Sequence, residues 1–164
     1  MNDEKRAEFA YHLYRRGNGH AAGAKLLHDA IFTEAEQAGD ADPAKVAFNG
    51  PLSIGVHYLI GLGLELLLKS AYVSHGGDGS DKSLRAIGHD LRTALERAEA
   101  QGFTSEAPHL REIVECLREP HHAHFFRYGW PDEFSMPTPN DIFAAFHVLD
   151  SEVHAAVQPD NLSG

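Results

Sequence analysis

Leu52-Ser-Ile-Gly-Val-His-Tyr-Leu-Ile-Gly-Leu-Gly-Leu-Glu-Leu-Leu-Leu-Lys-Ser-Ala-Tyr-Val73 is the stretch that decides the fold. Its aliphatic residues at 52, 54, 56, 59, 60, 62, 64, 66, 67, 68 and 73 cover most of the circumference of a helix over about 52–74. A helix apolar nearly all round is surrounded by other elements rather than laid on a surface. Gly55, Gly61 and Gly63 cost helix propensity, but they would let a neighbouring helix approach closely. Glu65 and Lys69 stand i,i+4 with the acid on the N-terminal side, the favourable order for a helical ion pair. Within Pro51 to Val73 the uncharged part runs only from Pro51 to Leu64, shorter than a bilayer span needs, and an ion in mid-span is costly. The stretch therefore reads as a buried core helix, with no membrane partner.

Outward from this helix the pattern stays helical. From Asp3 to about Gln37, Phe9–Leu13 and Leu27–Ile31 are i,i+4 apolar pairs, and Gly17-Asn18-Gly19 either splits the segment in two or weakens one long helix. Residues 39–51 read as a loop punctuated by Gly39, Asp40, Asp42, Pro43, Asn49 and Gly50, with Pro51 in the first turn of the core helix. His75 to Ser80 reads as a flexible loop. Asp90 is placed to cap a helix from Leu91 to about Gln101, stopped by Gly102. Thr104 or Ser105 could cap the next, in which Leu110, Val114 and Leu117 recur before Pro120. Pro139-Asn140-Asp141 opens a last helix to about Val157, with Ile142, Phe143, Phe146, Leu149 and Val153 as its stripe. No segment alternates with period two. The expected fold is all-α, an up-and-down bundle of five to six helices forming one domain over 1–158, with a short tail at 159–164.

Composition limits the partners. The chain has 164 residues, one cysteine (Cys116) and a net charge of −10. A single cysteine forms no internal disulfide, and the N-terminus leads into no apolar signal segment, which together point to the cytoplasm. Residues 131–164 carry six acids and no Lys or Arg, while the rest is close to neutral. The wide basic footprint of a duplex-DNA binder is missing, though a local site for a few phosphates is compatible with this balance.

Reactive side chains are densest in Arg118-Glu-Pro-His-His-Ala-His-Phe-Phe-Arg-Tyr128. Histidine titrates near neutrality and can move protons, and arginine presents a planar charged fork to phosphate oxygens. An Arg–His pair is thus sufficient in principle for metal-free RNA cleavage. Arg118 and His124 are six positions apart and would not share a face of a straight helix. A kink at Pro120 could bring them together, as could a dimer interface. Arg118 and His122, spaced i,i+4, share a face without any kink. A metal reading uses His121 and His124 at i,i+3, with His89, His147 and His154 as distant further ligands, but no compact second motif supports it. Glu65–Lys69 reads first as a structural ion pair, His89 and Asp90 as turn and capping residues, and Cys116 as a small hydrophobe.

Three stretches together resemble the higher eukaryotes and prokaryotes nucleotide-binding (HEPN) domain family. Gly63-Leu-Glu-Leu-Leu-Leu-Lys-Ser-Ala71 is similar to the family's second-helix pattern, Gly88-His-Asp-Leu91 to its "GHDL" turn, and Arg118 to His124 to its Arg, four to six residues, His motif. The resemblance spans about residues 5–130. It implies a helical bundle that commonly forms homodimers and, in active members, a metal-independent endoribonuclease of toxin–antitoxin, antiphage or RNA-processing systems, with an antitoxin as a further partner and no cofactor. Carried over, Arg118 would stabilise the phosphate and His124 would be the general acid/base, with His121, His122, Arg127 and Tyr128 in the nucleotide- or RNA-binding surface. Glu119 and Pro120 stand where active members usually have a small polar residue or histidine after the arginine. The alternative is therefore a non-catalytic HEPN-like module binding a nucleotide, RNA or a protein.

Overall fold

A computed structural model describes residues 2–123 and 136–158 of the chain. Among the described residues there are seven helices and no strand: α1 (Asp3–Ala38), α2 (Pro43–Asn49), α3 (Ser53–Ser74), α4 (Asp81–Ile87), α5 (Leu91–Ala100), α6 (Leu110–His122) and α7 (Pro139–Val157). The all-helical bundle is thus as the sequence reads. The count of five to six is too low, because α2 sits in a stretch that reads as a loop and α4 in 81–89, to which the sequence reading gives no element. In α2 the Asp42 side chain accepts the Lys45 amide at 3.0 Å and Pro43 occupies the first turn. In α4 the Ser80 hydroxyl accepts the Ser83 amide at 3.2 Å, and Asp81 pairs with Arg85 one turn on. The same Pro, Asp and Ser that punctuate a loop also start a helix, and seven-residue helices are too short to show a hydrophobic period.

The core helix α3 packs on α1, α2, α5, α6 and α7. Val56, Ile60, Leu64, Leu67, Leu68 and Val73 are all at most 1% exposed. By length and composition α3 could cross a membrane, but 67% of its most apolar stretch is buried by the other helices, as in the centre of a bundle. Its longest contact is with α1. Ala10 meets Ser70, Gly17 meets Gly63 and Leu67, and Leu27 meets Gly55, so the two run antiparallel. Helix α7 also runs antiparallel to α1, with Tyr14 stacked on His154 (5.1 Å between centroids) and Asn18 donating to Asp150 at 2.6 Å. Helices α5 and α6 are antiparallel neighbours, joined by Arg92–Glu115 and by Arg111–Glu99 at 2.6 Å.

Gly17 does not break α1, which is continuous from Asp3 to Ala38. A Cβ at position 17 would lie 2.9 Å from both the Leu67 amide nitrogen and its Cγ, so the glycine marks a close crossing with α3. The helix expected after Thr104 or Ser105 begins only at Leu110. Instead of capping it, the Ser105 hydroxyl donates to Glu152 on α7, and the Glu106 amide does so at 2.7 Å. Pro120 lies inside α6, which continues through it to His122. The tail at 159–164 lies outside the described residues.

The crossing separates two neighbouring glycines in their response to substitution. Gly17→Ala is expected to lower stability by ~1–3 kcal/mol through overpacking against Leu67. Gly19→Ala, whose Cβ would meet nothing within 4 Å, is expected to raise it by up to ~1 kcal/mol from helix propensity alone. Urea unfolding of the two variants beside the wild type checks both signs.

Candidate functional site

A buried carboxylate is the centre of the site. Glu65 sits on α3 at 5% exposure, in a helix otherwise chosen for its apolar side chains. An ionised group there needs partners on both oxygens. Oε1 accepts from Lys69 Nζ at 2.7 Å, one turn along the same helix. Oε2 accepts from His121 Nε2 at 2.7 Å, across from α6, and from His89 Nδ1 at 3.0 Å, in the turn between α4 and α5. Lys69 Nζ also donates to the Gly88 carbonyl at 2.7 Å, which ties that turn to α3 a second time. Glu65 Oε2 can only accept while ionised, so the two ring nitrogens facing it both carry hydrogens.

Local sequence makes this arrangement possible. Gly61 precedes Glu65 by one helical turn, and the His121 ring occupies the space a side chain would fill. A Cβ at position 61 would stand 2.4 Å from His121 Nδ1. Only 3% of the His121 side chain is exposed, whereas His89 is half-exposed. Burial of Glu65 works to raise its pKa, but the hydrogen bonds from His121, Lys69 and His89 and the Lys69 charge outweigh it and hold the carboxyl at about 2.

Asp90 extends the network to the surface. Its carboxylate caps α5 by accepting the Thr93 amide at 2.9 Å, as the sequence suggests, and it also binds Arg118 of α6. Arg118 Nε donates to Asp90 Oδ2 at 3.1 Å, and its Nη2 is ion-paired with the same oxygen at 3.1 Å. Burial favours a higher Asp90 pKa, but the Thr93 amide and Arg118 hold it below the ordinary carboxylate range. Adjacent residues of one turn, His89 and Asp90, thus meet two residues of α6. His121 is met on the inward side through Glu65, and Arg118 is met directly on the outward side.

Arg118 and His122, one helical turn apart, line one solvent-open depression together with Asp90, Glu115 and Glu119. His121 lies behind it, turned to Glu65. His124, Arg127 and Tyr128 lie outside the described residues. Of the distant histidines, His89 is drawn to His121, while His147 is exposed on α7 and His154 stacks on Tyr14. Cys116 is half-buried, and burial with the nearby Glu112 and Glu115 charges pushes its thiol up, the opposite of what a nucleophile needs. Sequence reasoning missed Glu65 as the centre of this network. The available signal was a Glu–Lys pair in a helix too apolar to be solvated, since such a pair in a core must find further partners.

No family model, curated protein or solved structure matches the chain.

The depressed Glu65 pKa makes the network a pH-dependent source of stability. Its folded value of about 2 lies below the ordinary 4.5. Its contribution is therefore complete above about pH 4.5 and is lost as pH falls toward 2. The shift corresponds to on the order of 3 kcal/mol at neutral pH. Unfolding of the metal-free wild type and of Glu65→Gln across this range should show a gap of that order at pH 7 that closes by pH 2. Equal stability at pH 7 would remove Glu65 from the account.

Proposed function

We propose that this chain is a HEPN-like helical protein that acts on RNA or a nucleotide as a metal-independent endoribonuclease, with Arg118 and His124 as its catalytic pair. The observation that carries the reading is the convergence of the three stretches behind the resemblance. Glu65, Lys69, His89 and His121 form one hydrogen-bonded group and Asp90 with Arg118 a second, and the two are joined through the chain at His89–Asp90 and along α6. Such an arrangement holds Arg118 in a fixed place at an open depression, as a phosphate-binding group requires.

In the reaction, a histidine removes the proton from a ribose 2′-hydroxyl and the freed oxygen attacks the adjacent phosphorus. The 5′-oxygen then leaves with a proton, giving a cyclic phosphate and a new 5′-hydroxyl. Arg118 neutralises the charge that builds on the non-bridging oxygens. His121 acts as a positioning residue from behind, and His122, Arg127 and Tyr128 bind the flanking nucleotide. A homodimer would supply the second half of the cleft, an antitoxin its control, and the cytoplasm its setting.

A second reading is favoured by the lining of the depression. Asp90, Glu115 and Glu119 share it with Arg118 and His122, so its charge balance is unfavourable to a polyanion. On this reading the chain is a non-catalytic nucleotide-, RNA- or protein-binding module.

Cleavage of single-stranded RNA by the purified chain in EDTA decides between them. The endoribonuclease reading expects products with cyclic phosphate ends. It also expects ~10²-fold or greater loss in Arg118→Ala and in His124→Ala while the thermal midpoint is kept. Equal cleavage by all three proteins contradicts it. Binding without turnover selects the second reading.

A further inference from the structure

Glu65, His89 and His121 come from three separate elements and each offers one ligand atom within 4.8 Å of the others, with Oε2, Nδ1 and Nε2 the atoms in contact. The shared oxygen is 2.7 Å from the His121 nitrogen and 3.0 Å from the His89 nitrogen. We propose that these three atoms form a binding site for one divalent transition-metal ion of the zinc class, with a fourth position filled by water on the half-exposed His89 side. The proposal is independent of the RNA chemistry above, since the ion would join α3, α6 and the α4–α5 turn and takes no part in the reaction proposed there.

The donor set selects the ion. Two imidazoles and one carboxylate suit zinc and its borderline neighbours, whereas magnesium and calcium ask for oxygen ligands. A four-coordinate zinc with bonds of about 2.0–2.2 Å separates its ligand atoms by roughly 3.3–3.5 Å. The observed 2.7 and 3.0 Å are what the same ligands adopt when hydrogens rather than a cation hold them together. Opening the trio therefore needs shifts well under 1 Å at those two contacts.

Supports for the ligands are also in place. Lys69 holds the other oxygen of Glu65 and, through the Gly88 carbonyl, the residue preceding His89. Outer hydrogen bonds of this kind orient metal ligands. Gly61 leaves room for the His121 ring. The half-exposed His89 gives a path from solvent. The Lys69 ammonium opposes a second cation nearby, which sets a moderate rather than extreme affinity. On binding, the ring nitrogen of each imidazole that faces the ion gives up its hydrogen to the other ring nitrogen or to solvent, and no electron is transferred.

The test uses the full chain without a histidine tag, stripped of metal by chelation and dialysis. Calorimetric titration with Zn2+ should give one ion per chain, and the bound ion should raise the thermal midpoint. Co2+ at the same site should show the intense visible absorption of a four-coordinate ion. His89→Ala should weaken binding ~100-fold or more, while His147→Ala and His154→Ala leave it unchanged. If His89→Ala alters the melting of the metal-free protein, His89→Gln carries the same test, because it keeps a donor for Glu65 without an imidazole. Absence of one-to-one binding, or binding that survives loss of the His89 ring, overturns the proposal. Neither result depends on RNA cleavage, so failure here and failure of the endoribonuclease reading are told apart.

Discussion

A charge buried in the most apolar helix of the chain sets the terms for everything around it. Glu65 lies at 5% exposure on α3, the helix on which α1, α2, α5, α6 and α7 all pack. An ionised carboxylate at such a depth is tolerated only with complete hydrogen bonding, and α3 itself supplies one partner, Lys69. The other two must come from elsewhere, and they fix where the α4–α5 turn and the end of α6 can sit. Gly61 and His121 match each other for the same reason, since a wider residue at 61 would push the imidazole off the carboxylate.

From this centre the site grows outward by short steps. The turn that delivers His89 to Glu65 delivers Asp90 to the N-terminus of α5, where its carboxylate both caps the helix and fixes Arg118. On α6, Arg118 and His121 are neighbours at i,i+3, the arginine reaching outward to Asp90 and the histidine inward to Glu65. The chemistry proposed for Arg118 and the metal binding proposed for Glu65, His89 and His121 therefore use two adjacent hydrogen-bonded groups. The first depends on how Arg118 meets a phosphate, the second on how readily three donors exchange hydrogens for a cation.

Much of the bundle was legible in the sequence, and the reason is local. The apolar circumference of 52–73 demands helices around it, and Asp90, Pro139 and Gly102 mark ends that a short window can recognise. Gly17 was ambiguous because a glycine in a helix means a break in one context and a close crossing in another, and only the neighbouring helix distinguishes them. The short helices α2 and α4 were hidden by the very residues that start them. Of the site, Arg118 and the histidines after it drew attention by their density. The hub did not, because Glu65 and His121 are 56 residues apart and nothing in their spacing announces a contact. The correct reading of Glu65–Lys69 as an ion pair was complete locally and incomplete in space.

The central claim is that Glu65 holds both imidazoles through hydrogens, and long-range 15N–1H NMR of the metal-free protein with labelled histidines tests it directly. The account predicts hydrogen on Nδ1 of His89 and on Nε2 of His121 at neutral pH, with both signals shifted downfield and both altered in Glu65→Gln. An unprotonated nitrogen at either of those two atoms, or signals indifferent to Glu65, would contradict it.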